Sequence, residues 1–260
     1  MQITVNGHAT FVANGGRAFD PSLPAVVLLH GAGFDSSTWA LHTRWFAHHG
    51  HAVLAPDLPG HGRSAGEALT TIADLADWTA ALITAAGASS ARLIGHSMGS
   101  LIALETAARH PAMVTRLDLL GPAATMTVGP DLLKDAEANQ HSAIDMVSIW
   151  GLGMRAELGG SLAPGLWMHA GAQRVLEATR PGVLHTDLNA CNAYQNALAA
   201  AAQLATPVTL ILGERDMMTP AKSGKALAAA IAGSRTVVLP ATGHMMMVER
   251  PDEVLAALRA

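Results

Sequence analysis

Six short, nearly continuous apolar runs alternate with longer amphipathic stretches along this chain, and that alternation constrains its fold more than any other feature. The runs cover residues 25–30, 52–55, 92–95, 114–120, 208–212 and 236–239 and are rich in Val, Ile and Leu. Apolar side chains on successive residues suit strands covered on both faces. The pattern therefore predicts an α/β domain: a largely parallel sheet with helices as crossovers. Ahead of it, residues 3–5 and 9–13 flank Asn6-Gly7, a strong two-residue turn signal, and read as an antiparallel hairpin.

Helix punctuation fills the intervals. Thr71 and Asp74 form a capping pair ahead of Ile72, Leu75, Trp78 and Leu82, and Gly87 closes that helix. Thr219-Pro220 reads as an N-cap followed by Pro at the first helical position, and Pro251-Asp252-Glu253 opens the last helix. Residues 122–190 break the alternation with Gly129-Pro130, Gly159-Gly160, Pro164-Gly165 and Pro181-Gly182 between short helical patches. This stretch reads as a helical insertion between two strands.

Composition excludes several classes. With 260 residues, half of them apolar, the chain can bury a sizeable core and is not intrinsically disordered. A net charge of −4 gives no basic footprint for nucleic acid. No run reaches the roughly 18 to 20 apolar residues of a membrane span, and residues 1–7 have neither the basic nor the apolar part of a signal peptide. The single cysteine, Cys191, has no internal disulfide partner, so a reducing cytoplasm is the simplest compartment. The 12 methionines against 10 aromatic residues are unusual.

Gly95-His96-Ser97-Met98-Gly99 is a G-x-S-x-G. It follows a strand run and opens a helical stretch, the setting in which such a turn lifts a serine hydroxyl to the carboxyl edge of a sheet. A serine needs a base, and the base an orienting acid. Asp216 and His244 each fall in a loop just after a later strand, giving the chain order Ser97, Asp216, His244. His30-Gly31-Ala32-Gly33, directly after the first parallel strand, is a tight loop able to present a backbone N–H to the same place. Ala32 and Met98 are the candidate oxyanion donors. Asp118 is an alternative acid, but it falls inside a strand run, not after it. His42, His48, His49 and His51 resemble a metal cluster by count alone. No acid or cysteine completes a zinc spacing, and a solvated helix end accounts for them.

These residues, with the D-x-x-G-x-G-x-S run from Asp57 to Ser64, resemble the α/β-hydrolase superfamily, in its capped, small bacterial esterase-like form. The resemblance implies a core of residues 1–121 and 191–260 with residues 122–190 as a helical cap. It implies a Ser97-His244-Asp216 triad, an oxyanion hole from Ala32 and Met98, and no metal or organic cofactor. It also implies a small-molecule ester as substrate, with self-association left open. Apolar residues of the insertion and of the loops after the strands, Met146, Trp150, Trp167, Met217 and Met245, are the candidate substrate contacts. Ser97 argues against the epoxide hydrolases and haloalkane dehalogenases, which carry Asp at that turn. Met245 after His244, where carbon–carbon hydrolases usually carry Trp, weakens that reading. Lactonase, thioesterase and cofactor-free perhydrolase chemistry stay open, as does a triad-bearing binding protein with little turnover.

Overall fold

The computed structural model describes residues 1–162 and 165–260. Its strands are β1 (Gln2–Val5), β2 (His8–Ala13), β3 (Ala25–Leu29), β4 (Ala52–Pro56), β5 (Ala91–His96), β6 (Val114–Leu120), β7 (Val208–Gly213) and β8 (Arg235–Leu239). They form one sheet in the order β1-β2-β4-β3-β5-β6-β7-β8. β1 and β2 pair antiparallel through Asn6 and Gly7, both at positive φ, as the turn signal requires. β2 runs antiparallel to β4, and every pairing from β4 to β8 is parallel.

From β3 to β7 the apolar runs become strands because both faces are covered; β8, at the sheet edge, is exposed at Arg235, Thr236 and Val238, so the expectation of two covered faces does not hold there. In β3, Val27 and Leu29 enter one hydrophobic cluster while Val26 and Leu28 enter the other. This is the period-two alternation of a doubly covered strand. The helix Ile72–Ala85 packs on the first face, its Thr71 hydroxyl accepting the Asp74 N–H at 3.0 Å as the capping pair predicts. The helix Ala40–Ala47 packs on the other, through Phe46 and Ala47. His42 of that helix is buried in the core, not solvated at a helix end; His48 and His49 are exposed, as expected.

Between β6 and the helix Ala197–Ala202, which precedes β7, lie the helices Pro130–Glu137, His141–Trp150, Met154–Glu157, Met168–Ala178 and Val183–Ala193. The last runs three residues past the expected boundary at 190. Pro164, one of the punctuation residues, lies outside the described residues. Asp118 sits within β6, fully buried, 2.7 Å from Arg92 and 3.5 Å from Arg116. It is engaged within the sheet by two guanidinium groups. Among the described residues no helix is long and apolar enough to cross a membrane, and no group of three His, Cys, Asp or Glu is arranged to hold a metal.

Candidate active site

Ser97 stands between β5 and the helix Met98–Arg109 with φ 53° and ψ −118°. A non-glycine residue in that region is strained by about 1 to 3 kcal/mol, and surrounding contacts must hold it. The Ser97 N–H donates to Leu120 O at 2.9 Å, and Ser100 Oγ donates to Ser97 O at 2.6 Å. The flanking glycines are steric necessities. A Cβ on Gly95 would run into the Gly99 carbonyl, and one on Gly99 into the Leu29 carbonyl.

The loop after β3 comes up against this turn. A Cβ on Gly31 would sit 3.1 Å from His96 Nδ1 and 3.2 Å from Ser97 Cβ. Within the loop, the Phe34 N–H donates to Gly31 O and the Gly33 N–H donates to Asp187. The Ala32 N–H takes part in neither bond. Met98 is the first residue of its helix, so its N–H has no intrahelical acceptor and lies at the positive end of the helix dipole.

Asp216 and His244 meet across the ends of β7 and β8. His244 Nδ1 lies 2.8 Å from Asp216 Oδ2, both side chains almost wholly buried. Asp216 Oδ1 accepts the N–H groups of Met218 (2.9 Å) and Thr219 (2.7 Å). Burial pushes the Asp216 pKa up. The facing His244 and the Thr219 bonds outweigh it, and the carboxyl titrates below its ordinary range. Among the described residues His244 Nε2 has no hydrogen-bond partner. It shares a cavity with Ser97 but is not hydrogen-bonded to it, a spacing common before substrate binds.

Three neighbours of this arrangement were not evident from the sequence as site residues. Thr219 is not the N-cap of the helix Ala221–Ala229, where Pro220 takes that position. Its hydroxyl turns inward, 2.9 Å from Gly121 O, 2.8 Å from Asp216 Oδ2 and 3.1 Å from His244 Nδ1. His96 Nε2 donates to His244 O at 3.0 Å, and burial, followed by the neighbouring His244, holds His96 well below its usual pKa. Glu249 Oε2 accepts the N–H groups of Gly243 and Gly153, tying the His244 loop to the insertion. Burial raises the Glu249 pKa.

The cavity has a volume of about 150 Å³. Ser97, His244, Ala32 and Gly31 line its floor, and Leu132, Val147, Trp150 and Leu188 of the insertion line its other walls. None of its lining residues carries a Lys, Arg, Asp or Glu side chain. Of the five expected substrate contacts, Trp150, Met217 and Met245 line this cavity. Met146 and Trp167 do not. Met146 is partly buried against the apolar cluster beneath the insertion, and Trp167, 67% exposed, points to solvent just before the helix Met168–Ala178. Cys191 lines the cavity too, and burial pushes its thiol pKa up, away from reactivity.

The chain is similar to several known proteins. Pimeloyl-[acyl-carrier protein] methyl ester esterase of Neisseria meningitidis serogroup B is 28% identical over 272 residues, covering 94% of each chain. A Mycobacterium tuberculosis protein named for non-heme bromoperoxidase chemistry is 29% identical over 243 residues, covering 90% of this chain and 91% of the relative. The crystal structure of the enol-lactonase from Burkholderia xenovorans LB400 superimposes with a TM-score of 0.89 at 26% identity, covering 100% of this chain and 98% of that one. Residues 26–257 match the model of the alpha/beta hydrolase family, and the chain belongs to that family.

Proposed function

We propose that this protein is a serine hydrolase cleaving carboxylic esters of small, uncharged substrates through an acyl-enzyme on Ser97. The observation that carries the reading is the His244–Asp216 pair. Its Nδ1 is committed to the carboxylate and its Nε2 is unpartnered in the cavity that holds Ser97. In this reading Nδ1 keeps the proton, which leaves the Nε2 lone pair as the base. His244 takes the Ser97 proton as Oγ attacks the ester carbonyl, and Asp216 stabilises the imidazolium. The N–H groups of Ala32 and Met98 take the oxyanion. His244 then protonates the leaving alcohol and activates water, which releases the acid and restores Ser97.

The cavity supports the substrate class. About 150 Å³ is the size of a cavity that accepts benzene, so an acyl group of about six non-hydrogen atoms fills it. A charged acyl group would be desolvated there with no counter-charge. We assign residues 122–190 as the cap over this site, extended to Ala193 by its last helix, with the remaining residues as the core. The relative named for bromoperoxidase chemistry supports a second reading, in which hydrogen peroxide replaces water, the acyl–Ser97 bond breaks and the acyl group leaves as a peracid with Ser97 restored.

Ser97→Ala assayed on p-nitrophenyl acetate and butyrate tests the proposal. Loss of about a thousandfold or more in kcat is expected. Undiminished turnover would overturn it. Adding peroxide to the same assay and measuring peracid separates the two readings.

A further inference from the structure

The D-x-x-G-x-G-x-S loop and the insertion meet at a buried contact that the chemistry above does not use. Asp187 lies on the insertion helix Val183–Ala193, 1% exposed, and one of its oxygens serves two partners. Oδ2 accepts the Gly33 N–H at 2.8 Å and stands 2.7 Å from His61 Nε2. Thr179, also from the insertion, donates its hydroxyl to Gly33 O at 2.6 Å. Gly33 is thus gripped at both its N–H and its C=O by the insertion. A Cβ at this φ +71° position would meet Leu184 and Leu176 at 2.8 and 2.9 Å, so the insertion packs against its third side as well.

The protons at this contact can be counted. His61 Nδ1 lies 2.9 Å from Pro59 O, a carbonyl that can only accept, so Nδ1 carries a hydrogen. Asp187 Oδ2 already accepts from Gly33. An imidazolium at His61 facing Asp187 satisfies every partner. Burial opposes that charge, but Asp187 outweighs it, and His61 titrates above its usual range. The neighbouring ring of His30, 5.0 Å away, stays neutral because its Nε2 accepts the Leu58 N–H.

We propose that Asp187, braced by His61 and acting with Thr179 on Gly33, is a positioning residue that sets the oxyanion donor at Ala32; this rests on the acyl-enzyme reading above. The Gly33 N–H belongs to the peptide plane that joins Ala32 to Gly33, so anchoring it fixes that plane. Only the two rotatable bonds at the Ala32 Cα then separate the anchored plane from the Ala32 N–H. The insertion therefore holds the geometry of the donor in addition to bounding the cavity. Misplacing a catalytic group by about 1 Å can cost about 100-fold in rate.

Asp187→Leu, Asp187→Asn and Thr179→Val, with Ser97→Ala alongside, test this on p-nitrophenyl butyrate. In the Asp187 and Thr179 variants active sites are titrated with a p-nitrophenyl phosphonate so that only folded enzyme is counted. Asp187→Leu removes the acceptor at similar volume, and kcat is expected to fall about 10- to 100-fold with KM within about twofold. The Ki of a short alkylboronic acid, which mimics the oxyanion, should rise in the same proportion. Asp187→Asn keeps an oxygen for the Gly33 N–H and should recover most of the rate. Where Asp187→Leu yields no folded enzyme, Thr179→Val carries the test, with a smaller loss of kcat at unchanged KM. Wild-type kcat and boronate affinity in the folded variants, with only the melting temperature lowered, would overturn the inference. Full activity in Ser97→Ala would instead overturn the acyl-enzyme reading beneath it.

Discussion

Thr219 Oγ1 stands 3.1 Å from His244 Nδ1 and 2.8 Å from Asp216 Oδ2, so the hydroxyl closes a triangle with the two side chains. Its further contact to Gly121 O, at 2.9 Å, anchors that triangle to the end of β6. Thr219→Val keeps the shape and deletes the hydroxyl. The imidazole loses one lateral restraint but keeps Asp216. A fall in kcat of about 3- to 10-fold is expected, the worth of about one ordinary hydrogen bond. KM should not change. Steady-state kinetics on a short ester check this, and a loss confined to KM would contradict it.

The tight elbow makes an opposite pair of glycine predictions. Gly99→Ala drives a methyl into the Leu29 backbone carbonyl in the centre of the sheet, where neither side can give way. It should cost more than about 4 kcal/mol and abolish soluble expression. Gly171→Ala lies on the helix Met168–Ala178, where a Cβ meets nothing within 4 Å. That change should stabilise by about 0.5 to 1 kcal/mol through helix propensity. Chemical denaturation measures the second and soluble yield the first.

Acid should weaken the fold through two buried imidazoles. Burial, the larger cause in each case, lowers His30 and His42 from 6.5 to about 4. The unfolded chain therefore takes up protons first as pH falls. The neutral-state stability is fully present above about pH 6.5 and is lost progressively towards pH 4, at most about 3 kcal/mol for each group. His30 has a structural reason to stay neutral, because protonating Nε2 would displace the Leu58 N–H. Neither ring nitrogen of His42 makes a hydrogen bond of ordinary geometry. His42→Leu should thus be tolerated at pH 7.5 and lose less melting temperature than wild type on going to pH 4.5. Equal losses in the two proteins would count against this account.

Much of this was legible in the sequence, and the remainder has physical reasons for being hidden. The runs became β3 to β8 within a residue or two; from β3 to β7 that is because a strand covered on both faces is apolar at most positions, whereas β8 lies largely exposed at the sheet edge. The order of Ser97, Asp216 and His244 was readable because each sits where a strand ends. Asp187 was not readable, since its partner Gly33 lies 154 residues away and no local period encodes that contact. Thr219 carried a misleading local signal, an apparent cap beside Pro220. His42 was lost in a count of histidines, and only the packing of its helix separates it from His48 and His49. The methionine excess acquires a location: Met126, Met217, Met218 and Met245 line the cavity, whereas Met98, Met246 and Met247 are buried in the two apolar clusters. Met side chains repack readily around varied ligands.

Cavity size sets the acyl-length preference. Rates on p-nitrophenyl esters should peak near acetyl to hexanoyl and fall beyond, since the cavity takes about six non-hydrogen atoms. Leu188→Ala removes an insertion side chain from the wall and should move the optimum to longer chains. A hemisuccinyl ester should be a poor substrate, because no cation lines the cavity to meet its carboxylate. A chain-length panel on both proteins gives the answer, and a preference for the charged acyl group would contradict the assignment of substrate class.

The acyl-enzyme on Ser97 can be tested without knowledge of the natural substrate. Intact and peptide mass spectrometry after treatment with a p-nitrophenyl alkylphosphonate should show one phosphonyl group per chain, on the peptide that contains Ser97. Esterase activity should be lost in step with that labelling. An unlabelled Ser97 in enzyme that is fully inactivated, or full labelling of Ser97 with activity intact, would contradict the account.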